Sequence, residues 1–233
     1  MADLLQFIEL SIPATDVLES LEWYQGLGFT ELPTTDTLPQ QYGVITNGRF
    51  CIGLHGDGLD GPGLTFVRRD LARHVYAMAA AGHEFEKTSL GVDSLHEARQ
   101  RDCDGTLAIL LEARTFSPGH TGAGPLAIGE LLHIALPCMN VSDALEFWQS
   151  YGFIGVENAA SGTVELHTPG ITLALTAGNR QLTLRFQPAD FSASVELLKH
   201  RCKLRAVNTD FGRGTEFTAP EGTRIQLLDR RAG

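Results

Sequence analysis

The chain has 233 residues and a formal net charge of −10, with 43% hydrophobic and 20% charged residues. This composition supports a normal buried core. The acidic balance argues against nucleic acid and against an anionic membrane surface, because both partners need clustered Lys and Arg. No apolar run approaches the roughly 20 residues of a membrane span, and the first residues show no basic, signal-like segment, so we expect a cytoplasmic protein.

Helix signals occur four times along the chain. Each is a short polar residue that can cap a helix, followed by apolar residues spaced three to four apart. At the first, Asp16 precedes Glu19, and Val17, Leu21 and Tyr24 fall on one face. Asn140 repeats this cap in the second half, and the other two helices are predicted to start at Asp70 and Asp190.

Strand signals surround these helices, and Asn47-Gly48 is a strong hairpin turn between two of them. The predicted strands of the first half are 7–12, 43–46, 50–55, 64–67 and 107–111. Those of the second half are 133–136, 163–167, 171–176, 182–186 and 224–228.

The two halves repeat one another. Segment 22–29 matches segment 146–153, and segment 104–114 matches segment 221–231 in the same order. Between the halves, segment 117–125 is dense in Gly and Pro, which is typical of a linker. We therefore predict three regions: a first domain at 1–116, a linker at 117–125 and a second domain at 126–233.

The order strand, helix, strands occurs twice in each half, which predicts four βαβββ modules. Segment 12–16 leads into the Leu-Gly-Phe ending of 22–29, and the turns 102–105 and 219–222 precede the last strand of each half. These motifs resemble the glyoxalase / bleomycin-resistance / extradiol-dioxygenase (vicinal-oxygen-chelate) superfamily. The resemblance implies an α+β fold of tandem βαβββ modules, paired as half-barrel domains that hold a ligand in a cup.

Enzymes of that superfamily usually bind a divalent metal through His, Glu or Gln at four strand positions. The resemblance places Glu9, Gly53, Gly63 and Ile109 there in the first half, and His133, Ala174, Thr183 and Gln226 in the second. A catalytic cation usually needs three protein ligands, and neither half supplies three. The resemblance therefore implies the fold strongly and the metal chemistry weakly.

The first functional interpretation is a metal-free protein that binds a small organic molecule between apolar walls and a few polar groups. Glu9 interrupts an apolar strand, so it is the candidate catalytic base or ligand contact; the alternative is an acid on a wet wall. The candidate ligand-binding residues are Ser11, Cys51, His55, His133, Thr176, Thr183, Arg224 and Gln226. Two alternatives stay open: His55 as a loop residue, and His133 as a hydrogen-bonded cup histidine.

The second interpretation is a metal-dependent lyase, isomerase or dioxygenase with a site shared between the domains. Glu9, His133 and Gln226 would be the candidate metal ligands, and Glu9 would share one cup with Gln226 and His55. A third interpretation is a structural or regulatory protein. No cofactor is expected in the first interpretation, and a divalent metal in the second. Either a monomer or a homodimer fits, because the two halves already supply a pair.

Overall fold

The computed structural model of the protein describes residues 5–34, 38, 41–91, 95–113, 126–158 and 162–229. The predicted linker, 117–125, lies outside these ranges. The predicted domain boundaries at its two ends stay a prediction for the same reason.

Each half contains two modules of one strand, one helix and three strands, so the four predicted βαβββ modules are confirmed. The helices, in chain order, are α1 (Val17–Gln25), α2 (Leu71–Ala80), α3 (Val141–Ser150) and α4 (Phe191–Lys199).

The first half forms one eight-stranded mixed sheet with the strand order β2-β3-β4-β1-β5-β8-β7-β6. Its two modules meet where β1 pairs antiparallel with β5. The strands are β1 (Gln6–Pro13), β2 (Thr30–Leu32), β3 (Tyr42–Thr46), β4 (Cys51–His55), β5 (Gly63–Arg68), β6 (Lys87–Ser89), β7 (Glu97–Arg101) and β8 (Leu107–Glu112).

The second half repeats this sheet as β10-β11-β12-β9-β13-β16-β15-β14. Its modules meet where β9 pairs antiparallel with β13. The strands are β9 (Glu130–Ala135), β10 (Ile154–Asn158), β11 (Thr163–Thr168), β12 (Ile171–Leu175), β13 (Thr183–Gln187), β14 (Arg205–Thr209), β15 (Gly212–Thr218) and β16 (Arg224–Asp229).

All ten strands predicted from the sequence are present, and each end lies within three residues of its predicted position. Six strands were not predicted: β2, β6, β7, β10, β14 and β15. Most of them are short or polar strands at the sheet edges, such as β6 with its sequence Lys-Thr-Ser. Their hydrophobic pattern is weak because an edge strand buries little apolar surface.

Both predicted helix caps form, at Asp16 and Asn140, and a third forms at Asp190. The Asp16 carboxylate accepts a hydrogen bond from the backbone N–H of Glu19 at 2.9 Å, and Asn140 and Asp190 make equivalent bonds. Asp70 does not: its φ is 52°, in the left-handed region, and its side chain makes no cap bond. Helix α2 begins directly after Asp70, as predicted, but without a side-chain cap.

A single hydrophobic core joins the two halves. Phe29 follows α1 in the first half and lies edge-on to Phe186 of β13, with 6.5 Å between ring centroids. Phe66 of β5 packs in the same way against Phe153, which follows α3, at 6.2 Å. The first helix of each half therefore belongs to a layer that packs against the second module of the other half.

Two hydrogen bonds cross between the halves at equivalent places. The indole N–H of Trp148, on α3, donates to Asp102 Oδ2 at 3.1 Å, and the hydroxyl of Tyr24, on α1, donates to Glu221 Oε1 at 2.8 Å. Both acceptors lie in the turns that carry the superfamily resemblance. Burial raises the pKa of the Asp102 carboxyl, although hydrogen bonds from the Thr106 N–H and from Trp148 act in the opposite direction.

None of the helices in the described ranges is long and apolar enough to cross a membrane.

The Trp148 bond gives a test of how the halves are held together. We expect Trp148→Phe to lower the free energy of unfolding by about 2–4 kcal/mol, because it leaves a cavity and removes a donor from a buried carboxylate. Chemical denaturation measures this change. Trp23→Phe, the same exchange at a half-buried site, is the control, with an expected loss of about 1 kcal/mol or less. Equal losses in the two variants would contradict a special role for the Trp148–Asp102 bond.

Candidate functional site

In each sheet, successive side chains of a strand point to opposite faces, so the core residues lie on one face and the polar side chains on the other. Along β1, Leu10 and Ile12 belong to the hydrophobic core, so Glu9 and Ser11 point to the opposite face. We call this opposite face of the first sheet the first cup, and the corresponding face of the second sheet the second cup. By the same alternation Cys51 and His55 of β4 face the first cup, because Ile52 and Leu54 lie in the core.

The first cup is organised around the carboxylate of Glu9, which is only 7% exposed. Ser11 Oγ donates to Glu9 Oε1 at 2.8 Å, and the Tyr42 hydroxyl donates to Oε2 at 2.7 Å. His55 Nε2 lies 3.2 Å from Oε1. Glu9 is therefore a buried, hydrogen-bonded acid and not an acid on a wet wall. His55 is the last residue of β4, not a loop residue.

Gly53 makes room for this carboxylate. A Cβ atom at position 53 would lie 2.5 Å from Glu9 Oε1, far inside van der Waals contact. On the other side of Glu9, Ser11 Oγ and Thr65 Oγ1 are 2.6 Å apart and continue the hydrogen-bond chain into β5. The position that the resemblance assigns to a fourth-strand ligand is thus filled by the Glu9 side chain.

The neighbours of Glu9 are held in their neutral forms. Burial, followed by the nearby Glu9 charge, raises the pKa of the Tyr42 hydroxyl far above its ordinary value. Burial also raises the pKa of the Cys51 thiol, with Glu9 adding to the shift and a hydrogen bond involving Thr46 opposing it. Tyr42 is therefore a donor, and Cys51 is a thiol rather than a metal-binding or nucleophilic thiolate.

The second cup is organised around the guanidinium group of Arg185, which is 8% exposed. Arg185 Nε donates to Gln226 Oε1 at 2.9 Å, and Nη1 lies 3.1 Å from His133 Nε2. Since a guanidinium can only donate, His133 Nε2 accepts this bond. Gln226 Nε2 in turn donates to Glu216 Oε2 at 2.8 Å.

An aromatic ring covers one face of this cluster. Phe211, in the turn between β14 and β15, lies 4.7 Å from the Arg185 guanidinium carbon and 4.4 Å from the His133 ring centroid. Burial lowers the pKa of Arg185 to about 10, and the carboxylates of Asp210 and Glu216 oppose that shift from a distance. The guanidinium stays charged at neutral pH.

The remaining predicted ligand-binding residues lie around the second cup without joining the Arg185 cluster directly. Thr183 is buried on the cup side of β13 and donates to the Gln181 carbonyl at 3.2 Å. Arg224 Nε lies 3.5 Å from Glu216 Oε2. Thr176 follows β12 and shares a hydrogen bond with Thr163 at 3.1 Å.

Strand register tests the positions carried over from the resemblance. Glu9 lies opposite Thr65, and His133 lies opposite Arg185. Gly63 and Thr183 are thus two residues away from the residues that lie opposite Glu9 and His133. The positions that the resemblance assigned to these two strands are therefore wrong. Antiparallel register depends on bulges in β1 and in the β9–β13 ladder, which the sequence does not display.

The predicted shared cup is also wrong. Glu9 belongs to β1 in the first sheet and Gln226 to β16 in the second, and each sheet contains both modules of its own half. Glu9 therefore lies with His55, as predicted, but without Gln226. His133 and Gln226 come together instead, with Arg185 bonded to both of them.

Four important side chains were not predicted: Tyr42, Thr65, Arg185 and Glu216. One of them had a usable signal. Arg185 is a charge inside an otherwise apolar strand, the same signal that singled out Glu9. A two-residue turn at Asn47-Gly48 would pair Tyr42 with Gly53, whereas Tyr42 lies opposite His55, so the hairpin pattern does not find this residue.

The residues present do not fit a divalent cation bound by three protein ligands. The first cup offers one carboxylate and one imidazole, and the second offers an imidazole whose acceptor nitrogen faces a fixed positive charge. Within the described ranges, no cluster of three or more His, Cys, Asp or Glu side chains is arranged to hold a metal ion.

Comparison with known proteins agrees with this architecture. No protein-family model matches the sequence, and the search of curated proteins finds no match either. Solved structures do match. A catechol 2,3-dioxygenase is 14% identical with a TM-score of 0.63, over 97% of this chain and 88% of that one. The 2,3-dioxygenase LapB from Pseudomonas sp. KL28 is 17% identical with a TM-score of 0.64, over 97% and 92%.

A third similar structure is the Mn(II)-bound glyoxalase from Novosphingobium aromaticivorans. It is 12% identical with a TM-score of 0.62, over 97% of this chain and 82% of that one. Sequence identity at this level establishes the fold and not the reaction. The chain has the vicinal-oxygen-chelate fold, as the motifs predicted.

Gly53 provides a test of the first cup. We expect Gly53→Ala to lower the free energy of unfolding by about 1–3 kcal/mol, because the new methyl group forces the Glu9 carboxylate out of its hydrogen bonds. The matched control is Gly61→Ala, where the nearest atom to a new Cβ is Arg101 Nη1 at 3.4 Å. Its expected effect is within about 0.5 kcal/mol of zero. Thermal or chemical unfolding of both variants decides the point, and an unchanged Gly53→Ala protein would contradict the packing described here.

Proposed function

We propose that the protein binds a small organic molecule in its cups without a divalent metal, as a glyoxalase/bleomycin-resistance-like binding protein. One observation carries the proposal: the Arg185 guanidinium is hydrogen-bonded to His133 and to Gln226. These two side chains are the best metal-ligand candidates of the second half. Their acceptor atoms face a cation that the protein itself supplies.

The electrostatic argument supports a metal-free second cup. A metal would need the same His133 lone pair that accepts from Arg185. It would also approach a fixed positive charge in a poorly solvated place, where repulsion between like charges is large. A metal ion could therefore bind in the second cup only if the Arg185 side chain left the cluster.

The first cup contributes the other half of the proposal. Glu9 presents a carboxylate between Ser11 and His55, which suits contact with a donor group of the ligand. Glu9 is also the candidate general base, because His55 lies within proton-transfer distance. A cavity of about 430 Å³, large enough for a small organic molecule, lies further along this sheet. Its lining includes Leu107 of β8 and Arg99 of β7.

A metal-dependent lyase, isomerase or dioxygenase is the second candidate function. The observation that favours it is the pair of metal-ligand types, Glu9 and His55, which lie 3.2 Å apart in the first cup. Similarity to a Mn(II)-bound glyoxalase and to two dioxygenases also supports it. In this alternative Glu9 and His55 would be metal ligands, and the remaining ligands would be groups that are not assembled in the first cup.

We further propose a cytoplasmic location, a monomer or a homodimer, and a small molecule as the partner. The net charge of −10 supports the exclusion of nucleic acid and of anionic membranes as partners.

Metal content separates the two candidate functions. After incubation with excess Mn²⁺, Zn²⁺, Ni²⁺ or Fe²⁺ and desalting, we expect elemental analysis to find far less than one ion per chain. We also expect no thermal stabilisation by any of the four ions, since binding to the native state alone would raise the melting temperature.

The variants Glu9→Gln and His55→Gln serve as the controls of this experiment. We expect the same low metal content in both as in the wild-type protein. One ion per chain that is retained by the wild type and lost in both variants would overturn the metal-free proposal in favour of the metal-dependent enzyme.

A further inference from the structure

Arg185 is a buried cation without an anion in contact. Of the five N–H donors of a guanidinium, two are used, by the amide oxygen of Gln226 and by His133. Both of these partners are uncharged acceptors. Within the described residues, no carboxylate forms an ion pair with Arg185, and Nη2 has no acceptor.

Two carboxylates act on Arg185 through space, those of Asp210 and Glu216, and neither forms an ion pair with it among the described residues. Glu216 forms ion pairs with Arg205 and with Arg224, and it accepts the Gln226 amide as well. Arg185, Arg205 and Arg224 therefore share one Glu216 on this face of the second sheet.

Burial of a charge is costly unless the charge is paired. A planar guanidinium with free N–H groups along its edge matches the two oxygens of a carboxylate, which it binds through paired hydrogen bonds. The Arg185 guanidinium carbon lies over the Phe211 ring at 4.7 Å from its centroid, and Nη2 keeps both of its N–H donors. The unpaired edge is thus suited to an organic carboxylate.

The same face carries an exposed apolar wall. Ile154 and Val156 of β10 are 69% and 54% exposed. Ile154 and Val156 pair with His167 and Glu165 of β11. Leu166 lies between these two partners and belongs to the core, so Ile154 and Val156 point to the opposite face, the cup side. Four strand spacings of about 4.8 Å separate β10 from β13, or roughly 19 Å along the curved sheet. A ligand that uses both features must be elongated.

We propose that the second cup is a binding site for an elongated organic carboxylate, held by Arg185 at its charged end and by Ile154 and Val156 along its apolar body. This assignment rests on the proposed metal-free binding function and adds the class of ligand. It explains why a cation stands beside His133 and Gln226, and why an edge strand leaves two large apolar side chains exposed.

Titration calorimetry with octanoate and with its neutral counterpart octanamide tests the charged end. We expect octanoate to bind at least about tenfold more tightly, because the amide loses the charge-assisted pair with Arg185. We expect Arg185→Met to weaken octanoate binding by at least about tenfold and to abolish the preference over octanamide. Arg205→Met removes an exposed charge from the same face, and the expected change is less than about threefold.

The apolar wall is tested with straight-chain carboxylates from octanoate to octadecanoate, because only the longer chains can span the roughly 19 Å between β10 and β13. We expect affinity for the wild-type protein to rise with chain length. In a Val156→Ser variant the rise should be smaller, while octanoate binding stays unchanged. Affinity that does not depend on chain length would remove Ile154 and Val156 from the site.

Folding of Arg185→Met is checked by circular dichroism, and Arg185→Lys is the second variant. Lysine keeps the charge but not the planar fork, so we expect an intermediate loss of octanoate affinity. The comparison of octanoate with octanamide on the wild-type protein needs no variant. Equal binding of the two compounds, or octanoate binding that neither Arg185 variant weakens, would overturn the carboxylate assignment.

A parallel thermal-shift screen with uncharged organic compounds separates this proposal from the general one. Stabilisation by a neutral compound, without any octanoate binding, would reject the carboxylate assignment and leave metal-free binding standing. No binding by any carboxylate or neutral compound would reject both.

Discussion

Two equivalent hydrogen bonds, among several that cross between the halves, place a buried aromatic donor of one half against a carboxylate of the other. Each takes an aromatic side chain from the first helix of one half, Trp148 or Tyr24, to a carboxylate in the last turn of the other, Asp102 or Glu221. Both aromatic side chains are completely buried, and no water competes for their polar atoms. These bonds tie each helix to the last turn of the opposite half, within the core that the two halves share.

This arrangement decides where the chemistry lies. Because helices and core occupy one face of each sheet, polar side chains on β1, β4, β9, β13 and β16 are directed to the other face. The halves therefore present two cups with the same backbone and different contents. Glu9 and His133 occupy equivalent positions, as do Thr65 and Arg185, so one cup is built around a carboxylate and the other around a guanidinium.

The sequence predicts the fold better than the site, for physical reasons. Helix caps such as Asp16 and apolar strands such as β8 are local patterns, and the internal repeat at 22–29 and 146–153 extends them to the whole chain. Polar edge strands such as β6 have no comparable pattern. Glu9 was found because an acid in an apolar strand is costly, and the same reasoning applied to β13 would have found Arg185. Register was the limiting step: a shift of two residues separates Thr183 from Arg185, and only the paired strands show which of them adjoins His133.

The crossing bonds also make the two halves complementary and not interchangeable. The indole of Trp148 meets an Asp in a tight turn, whereas the smaller phenol of Tyr24 meets a longer Glu two positions further along the equivalent turn. Two molecules that traded halves with each other would keep both matched pairs, since every donor would still find its own kind of acceptor. In a dimer of two identical halves, each aromatic donor would instead face a turn whose carboxylate is placed for the other aromatic donor. The two copies of the repeat are therefore specialised to pair with each other, and neither can replace the other without losing a matched donor and acceptor.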